Sequence, residues 1–164
     1  MTENAIVSPQ CLALRTLAEF QPGSLLLVAS RPWDTEVTEA LGSVKQTLLS
    51  PPLGPESLAG LGRIDAGLVT GVLAELDPKT GVEFIGLLRN LHCARVALTL
   101  EEESLSAGWS RDALLALEFL PMAEPSKTGG TEVFLYDIDS YNRRRDWNTP
   151  AGWANPQNFD KFRW

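Results

Sequence analysis

The stretch Ile64-Asp-Ala-Gly-Leu-Val-Thr70, followed by Asp77-Pro78 and closed by Arg95-Val-Ala-Leu-Thr-Leu100, decides how this chain folds. The two flanking segments are short and largely apolar, and turn signals bound them. Runs of that kind read as strands buried on both faces, as in a parallel sheet. Between them Asp77 is placed to cap a helix and Pro78 to open it. Val82, Phe84, Ile85, Leu88 and Leu91 supply its apolar face. Strand, helix and strand in this order make a crossover unit with parallel strands and a right-handed connection.

The same grammar extends outward. Upstream, Ser24-Leu-Leu-Leu-Val-Ala29 is a second buried strand. A helix opening at Ser8 or Pro9 and carrying Leu12, Leu14, Leu17, Ala18 and Phe20 precedes it, and Gln21-Pro22-Gly23 stops that helix. Ser30 to Asp34 reads as a loop. Asp34 can cap a helix with Val37, Ala40, Leu41 and Val44 on one face. Lys45-Gln-Thr-Leu-Leu49 is a weaker strand ended by Ser50-Pro51-Pro52, and Pro55 to Leu61 reads as a short helix. Downstream, Ser110 can cap a helix through Phe119, with Asp112 in its first turn. Leu120 to Glu124 and Thr131 to Tyr136 flank Lys127-Thr-Gly-Gly130, which suggests an antiparallel hairpin at the sheet edge. The expected fold is α/β: a three-layer, Rossmann-like, mostly parallel sheet with a C-terminal antiparallel strand.

Composition narrows the function classes. The 164 residues suit one domain, and no apolar run approaches the roughly 18–20 residues of a membrane helix. The N-terminus shows no basic region followed by an apolar one, so no secretory signal is expected. Cys11 and Cys93 both lie in apolar stretches and read as free thiols in a reducing, cytoplasmic setting. Net charge is −7. Residues 141–164 hold Arg143, Arg144, Arg145, Lys161 and Arg163 against Asp146 and Asp160, a net of +3 that leaves −10 on the rest. An acidic body repels a phosphate backbone, so nucleic-acid binding is disfavoured.

Other reactive groups are sparse. His92 stands beside Cys93 at a helix end, and neighbouring helical side chains point about 100° apart, which argues against a Cys–His pair. One histidine and two separated cysteines offer no zinc spacing. Glu101-Glu102-Glu103, just past a strand end, reads as a solvated loop bordering the ligand crevice of an open sheet. Lys127 to Gly130 lacks the glycine spacing of a phosphate loop and reads as a turn.

The phrase Ile64-Asp65, then Val72-Leu-Ala-Glu-Leu76, Asp77-Pro78, the amphipathic helix and Arg95 to Thr99 resembles the middle of a class I S-adenosylmethionine (SAM) methyltransferase. Trp109 to Phe119 resembles that family's late helix, with Glu118 where a glycine is usual, and Thr131 to Tyr136 its antiparallel final strand. The resemblance spans roughly residues 10–138. It implies a methyltransferase-type sheet over residues 1–139, in a small, degenerate, bacterial-type relative. It also implies a cofactor crevice lined by Ser30, Trp33, Ser50, Gly71 and Glu75, in which Trp33 would stack on adenine.

The stretch matching the family's glycine loop, Val28-Ala-Ser-Arg-Pro-Trp-Asp34, contains no glycine. The place of its ribose-binding acid is Leu49-Ser50-Pro51. Losing close backbone approach and bidentate ribose contacts costs several kcal/mol, at roughly 1.5–3 per charged hydrogen bond. The expectation is therefore a binding or assembly module without SAM-dependent activity and without a cofactor. The alternative is an active SAM-dependent methyltransferase with an atypical loop. Residues 140–164 form an aromatic, basic segment. Trp147, Trp153, Phe159, Phe162 and Trp164 are its interface candidates, because disordered tails are poor in aromatics. They are expected to pack on the domain, on a partner protein or on a second subunit.

Overall fold

The structure is a computed structural model describing residues 8–31, 41–122, 128–141, Ala151, 155–158 and Lys161. Helix α1 (Pro9–Ala18) leads into β1 (Ser24–Ala29), and β2 (Lys45–Leu49) follows. A 3₁₀ turn (Pro55–Leu58) precedes β3 (Ile64–Thr70), and another (Leu73–Glu75) precedes α2 (Pro78–Leu87). A π-turn (Leu88–His92) delivers the chain into β4 (Cys93–Leu100). Short helices α3 (Glu102–Ser106) and α4 (Arg111–Ala116), strands β5 (Leu120–Pro121) and β6 (Glu132–Asp137), and α5 (Ile138–Tyr141) complete the main body.

The six strands are ordered β2-β1-β3-β4-β6-β5. β1 pairs in parallel with β2 and β3, and β3 with β4. β6 runs antiparallel to β4 and to β5. The α/β class, the mostly parallel sheet and the C-terminal antiparallel strand follow the sequence reading. β4 begins two residues before the expected Arg95, because Cys93 already pairs with Ile64 and is buried.

Alternation along each strand divides the core. Leu26, Val28, Val69, Val96 and Leu98 pack with Phe84, Ile85 and Leu88 of the second helical segment, and with Trp109, Leu114 and Phe119. Leu25, Leu27, Ala66, Leu68, Ala97 and Val133 pack with Ala13, Leu14 and Leu17 of α1. Apolar side chains on both faces explain the unbroken hydrophobic runs in β1, β3 and β4.

The helix starts are made as their residues dictate. Asp77 Oδ2 accepts from the Thr80 amide at 3.2 Å, and Ser110 Oγ from the Ala113 amide at 3.2 Å. The helix expected to reach Phe119 stops at Ala116, because the chain reverses through Glu118 at φ +63°. The expected helix at Pro55–Leu61 is instead a 3₁₀ turn ending at Leu58. Trp33, the helix expected after Asp34, and Trp147, Trp153, Phe159, Phe162 and Trp164 lie outside the described residues.

Candidate functional site

Four parallel strands bring their C-terminal ends to one edge of the sheet, at Ala29, Leu49, Thr70 and Leu100. From β1 the chain moves to β2 on one side, whereas β3 and β4 lie on the other. The topological switch point, where open α/β sheets hold ligands, therefore lies between the tips of β1 and β3. Ser30 and Gly71 are the residues that follow those tips.

A hydrogen bond spans that point: Ser30 Oγ donates to the Gly71 carbonyl at 3.0 Å. The Gly71 amide donates in turn to Glu101 Oε1 at 3.1 Å. Gly71 adopts φ +65°, a left-handed conformation that glycine takes without Cβ strain, and this allows the turn. Glu101 also accepts from Thr99 Oγ1 on Oε1, and from Ser104 Oγ at 3.1 Å on Oε2. Thr99 Oγ1 lies 3.0 Å from Thr70 Oγ1. An ionised carboxylate accepts only, so the single Thr99 proton goes to Glu101 and the Thr70 hydroxyl donates to Thr99. The outcome is a continuous polar chain from β1 across β3 to β4 and α3, with its groups paired to one another.

The acidic run is thus divided. Glu102 and Glu103 are exposed in the first turn of α3, while Glu101 is half-buried and joins two strand tips to that helix. The expected solvation holds for Glu102 and Glu103, which open a helix instead of lying in a loop, and not for Glu101. Thr99 and Glu101 flank Leu100 and project to the same side, the one sequence signal that could have paired them. What it could not supply was Gly71, thirty positions earlier in the chain.

Of the crevice residues named from sequence, the structure joins Ser30 and Gly71. Ser50 is exposed one strand further out, after β2. Glu75 lines a cleft of about 330 Å³ with Pro51, Pro52, Leu53 and Leu76. That cleft lies between the segment leaving β2 and the 3₁₀ turn after β3. Its Leu76 edge is fixed from below, since the buried Trp109 indole Nε1 donates to the Leu76 carbonyl at 3.1 Å. Gly81 makes room for that indole: a Cβ there would meet Trp109 Cζ2 at 2.3 Å.

The remaining reactive groups sit elsewhere. Cys93 is the first residue of β4, at the far end of the sheet from the switch point, and is 1% exposed. Burial, reinforced by the Asp65 carboxylate, pushes its thiol up to about 12, so it carries no thiolate near neutral pH. His92 Nδ1 lies 3.3 Å from the Gly62 carbonyl. Asp65 Oδ2 accepts from the Gly23 and Ser24 amides, both at 2.9 Å, and from Ser24 Oγ at 3.0 Å, tying the N-terminal ends of β1 and β3. Both cysteines are free thiols. Among the described residues no three His, Cys, Asp or Glu side chains are grouped to hold a metal ion, and no helix is long and apolar enough to cross a membrane.

A family model described as "Family of unknown function (DUF6231)" matches residues 7–164, and the chain belongs to that family. No curated protein and no solved structure matches the chain.

Proposed function

We propose that this member of a family of unknown function is a methyltransferase-like domain that works as a cytoplasmic binding or assembly module and not as a SAM-dependent enzyme. The antiparallel β6, inserted between β4 and β5, supports the methyltransferase-type reading of the sheet, since the resemblance implies such a final strand. One observation carries the functional reading: the Ser30–Gly71–Glu101 hydrogen-bond chain crosses the switch point where a nucleoside would lie. A ligand entering there must break bonds among groups that already satisfy each other, without a described glycine loop to replace them. The partner would be a protein or a second copy of the chain, met through the aromatic residues of segment 140–164.

An active methyltransferase with an atypical cofactor loop is the second reading. Gly71 favours it: the residue is exposed, and an added Cβ would meet only Ser30 Oγ, at 3.8 Å, so the backbone there is open to close approach. Calorimetric titration of the full chain with SAM and with its demethylated product separates the two. The module reading expects no heat of binding up to about 1 mM, a concentration that would reveal any binding free energy more favourable than about −4 kcal/mol. Micromolar binding that weakens when Trp33 or Ser50 is replaced overturns it. Light scattering of the full chain beside a form ending at Ser140 tests the assembly role: a dimer that becomes a monomer supports self-association through the tail.

A further inference from the structure

Two carboxylates occupy the same end of the sheet in opposite conditions. Glu101 accepts three hydrogen bonds from its own chain, two on Oε1 and one on Oε2. Glu75 is exposed at the edge of the 330 Å³ cleft, and among the described residues no donor reaches its carboxylate. Among the described residues the other walls of that cleft are poor in donors. Pro51 and Pro52 have no amide hydrogen, so they present ring methylenes and carbonyl oxygens. The Leu76 amide is committed to the Leu73 carbonyl at 3.1 Å, and the Leu76 carbonyl to Trp109. Leu53 and Leu76 add aliphatic surface. An anion entering this cleft meets a like charge and, among the described residues, few donors. A cation on an apolar stem meets one unpaired carboxylate above a bed of proline and leucine. The volume lies at the lower end of the roughly 300–1,000 Å³ typical of small-molecule sites.

We infer that this cleft binds small organic cations, ammonium or guanidinium groups on a short alkyl or aryl stem, with Glu75 as counter-ion and Pro51, Pro52 and Leu53 seating the stem. The inference goes beyond the function proposed above and requires neither SAM nor a protein partner. Its chemistry is that of a charge pair partly shielded by an apolar wall, which favours the charged ligand over its neutral isostere.

The test uses the full chain with three matched probes: 2-phenylethylammonium, the neutral 2-phenylethanol and the anionic phenylacetate, with benzamidinium as the guanidinium-type probe. Binding is read from protein amide shifts, so the site is mapped along with the affinity. The expected result is saturable binding of both cations with Kd of about 1–5 mM or tighter, shifts centred on Leu53, Glu75 and Leu76, and neutral and anionic probes at least about fivefold weaker. Glu75→Gln should bring the cations to within about twofold of the alcohol. Glu103→Gln, an exposed carboxylate outside the lining, should leave the preference intact. Glu75 is exposed and has no partner among the described residues, so its variant keeps the fold, which the spectrum itself verifies. The inference is overturned if neither cation binds by about 10 mM, if the alcohol binds equally well, or if Glu75→Gln keeps the preference.

Discussion

Gly81 and Gly86 lie about one and a half turns apart in α2, and the structure assigns opposite signs to replacing them with alanine. From helix propensity alone each change should stabilise by roughly 0.5–1 kcal/mol, since alanine loses less backbone freedom on folding. At Gly86 the nearest atom to an added Cβ is Leu117 Cδ2 at 4.0 Å, an ordinary contact, so the full gain should appear. At Gly81 the new Cβ would lie 2.3 Å from Trp109 Cζ2, 2.7 Å from Cη2 and 3.3 Å from Leu76 Cβ. The indole is 3% exposed and held through Nε1 to the Leu76 carbonyl, so it cannot swing into solvent. Overpacking of this kind costs about 1–3 kcal/mol. Displacing the indole would weaken a hydrogen bond worth about 1 kcal/mol. After subtracting the propensity gain, Gly81→Ala should destabilise by about 1–3 kcal/mol. For a chain of this length that lowers Tm by roughly 2–12 °C, whereas Gly86→Ala raises it by about 1–4 °C. Urea and thermal unfolding of the two variants measure the difference. Trp109→Phe in the Gly81→Ala background should recover part of the loss as a coupling of at least about 0.5 kcal/mol. Stabilisation by Gly81→Ala equal to that by Gly86→Ala would refute the packing of Trp109 against α2, and with it the fixed edge of the Glu75 cleft.

Glu101→Ala leaves the Gly71 amide, Thr99 and Ser104 without their common acceptor; allowing for the partial exposure of Glu101, a loss of about 2–3 kcal/mol is expected in urea unfolding. A loss below about 0.5 kcal/mol would mean that water replaces the carboxylate. Cys93 should resist thiol reagents at pH 8 in the native chain and react only on unfolding. Its thiol is raised from 9.0 to about 12 on folding, so the native state holds a proton that the unfolded state gives up. That stabilising contribution is complete below pH 9 and declines as pH climbs toward 12, and Cys93→Ala should flatten the decline; equal slopes would contradict a buried neutral thiol. Glu118→Gly should stabilise by up to about 1 kcal/mol, because Glu118 holds φ +63° at the end of α4 and glycine adopts it freely; a lower melting temperature for that variant would show that the left-handed turn is not maintained.

That last position shows how far the residue pattern reached and where it stopped. The late-helix resemblance marked Glu118 as standing where a glycine is usual, and the backbone there is left-handed. The strand interiors were legible for a similar reason. A run such as Leu25 to Ala29 needs apolar neighbours on both faces whatever its partners are, and caps such as Asp77 and Ser110 act within three residues. The site was legible only in its location at the strand tips. Ser30 and Gly71 were singled out separately, but nothing local in either announces that they bond to each other across 41 positions.

Hydrophobic alternation, turn residues and capping residues are short-range signals, so the chain by itself determined the strand segments, the helix starts at Pro9, Pro78 and Arg111, and that the sheet is buried on both faces, but not where the short helices end. Tertiary structure alone decided that β6 inserts between β4 and β5, that Glu101 closes on Gly71, that Trp109 packs against α2, and that Glu75 comes to lie beside Pro51 and Pro52. The physical reason is that strand order depends on where each crossover lands. A side chain's partner at the sheet edge is then whatever that order places within about 3 Å, a distance that spacing along the chain does not encode.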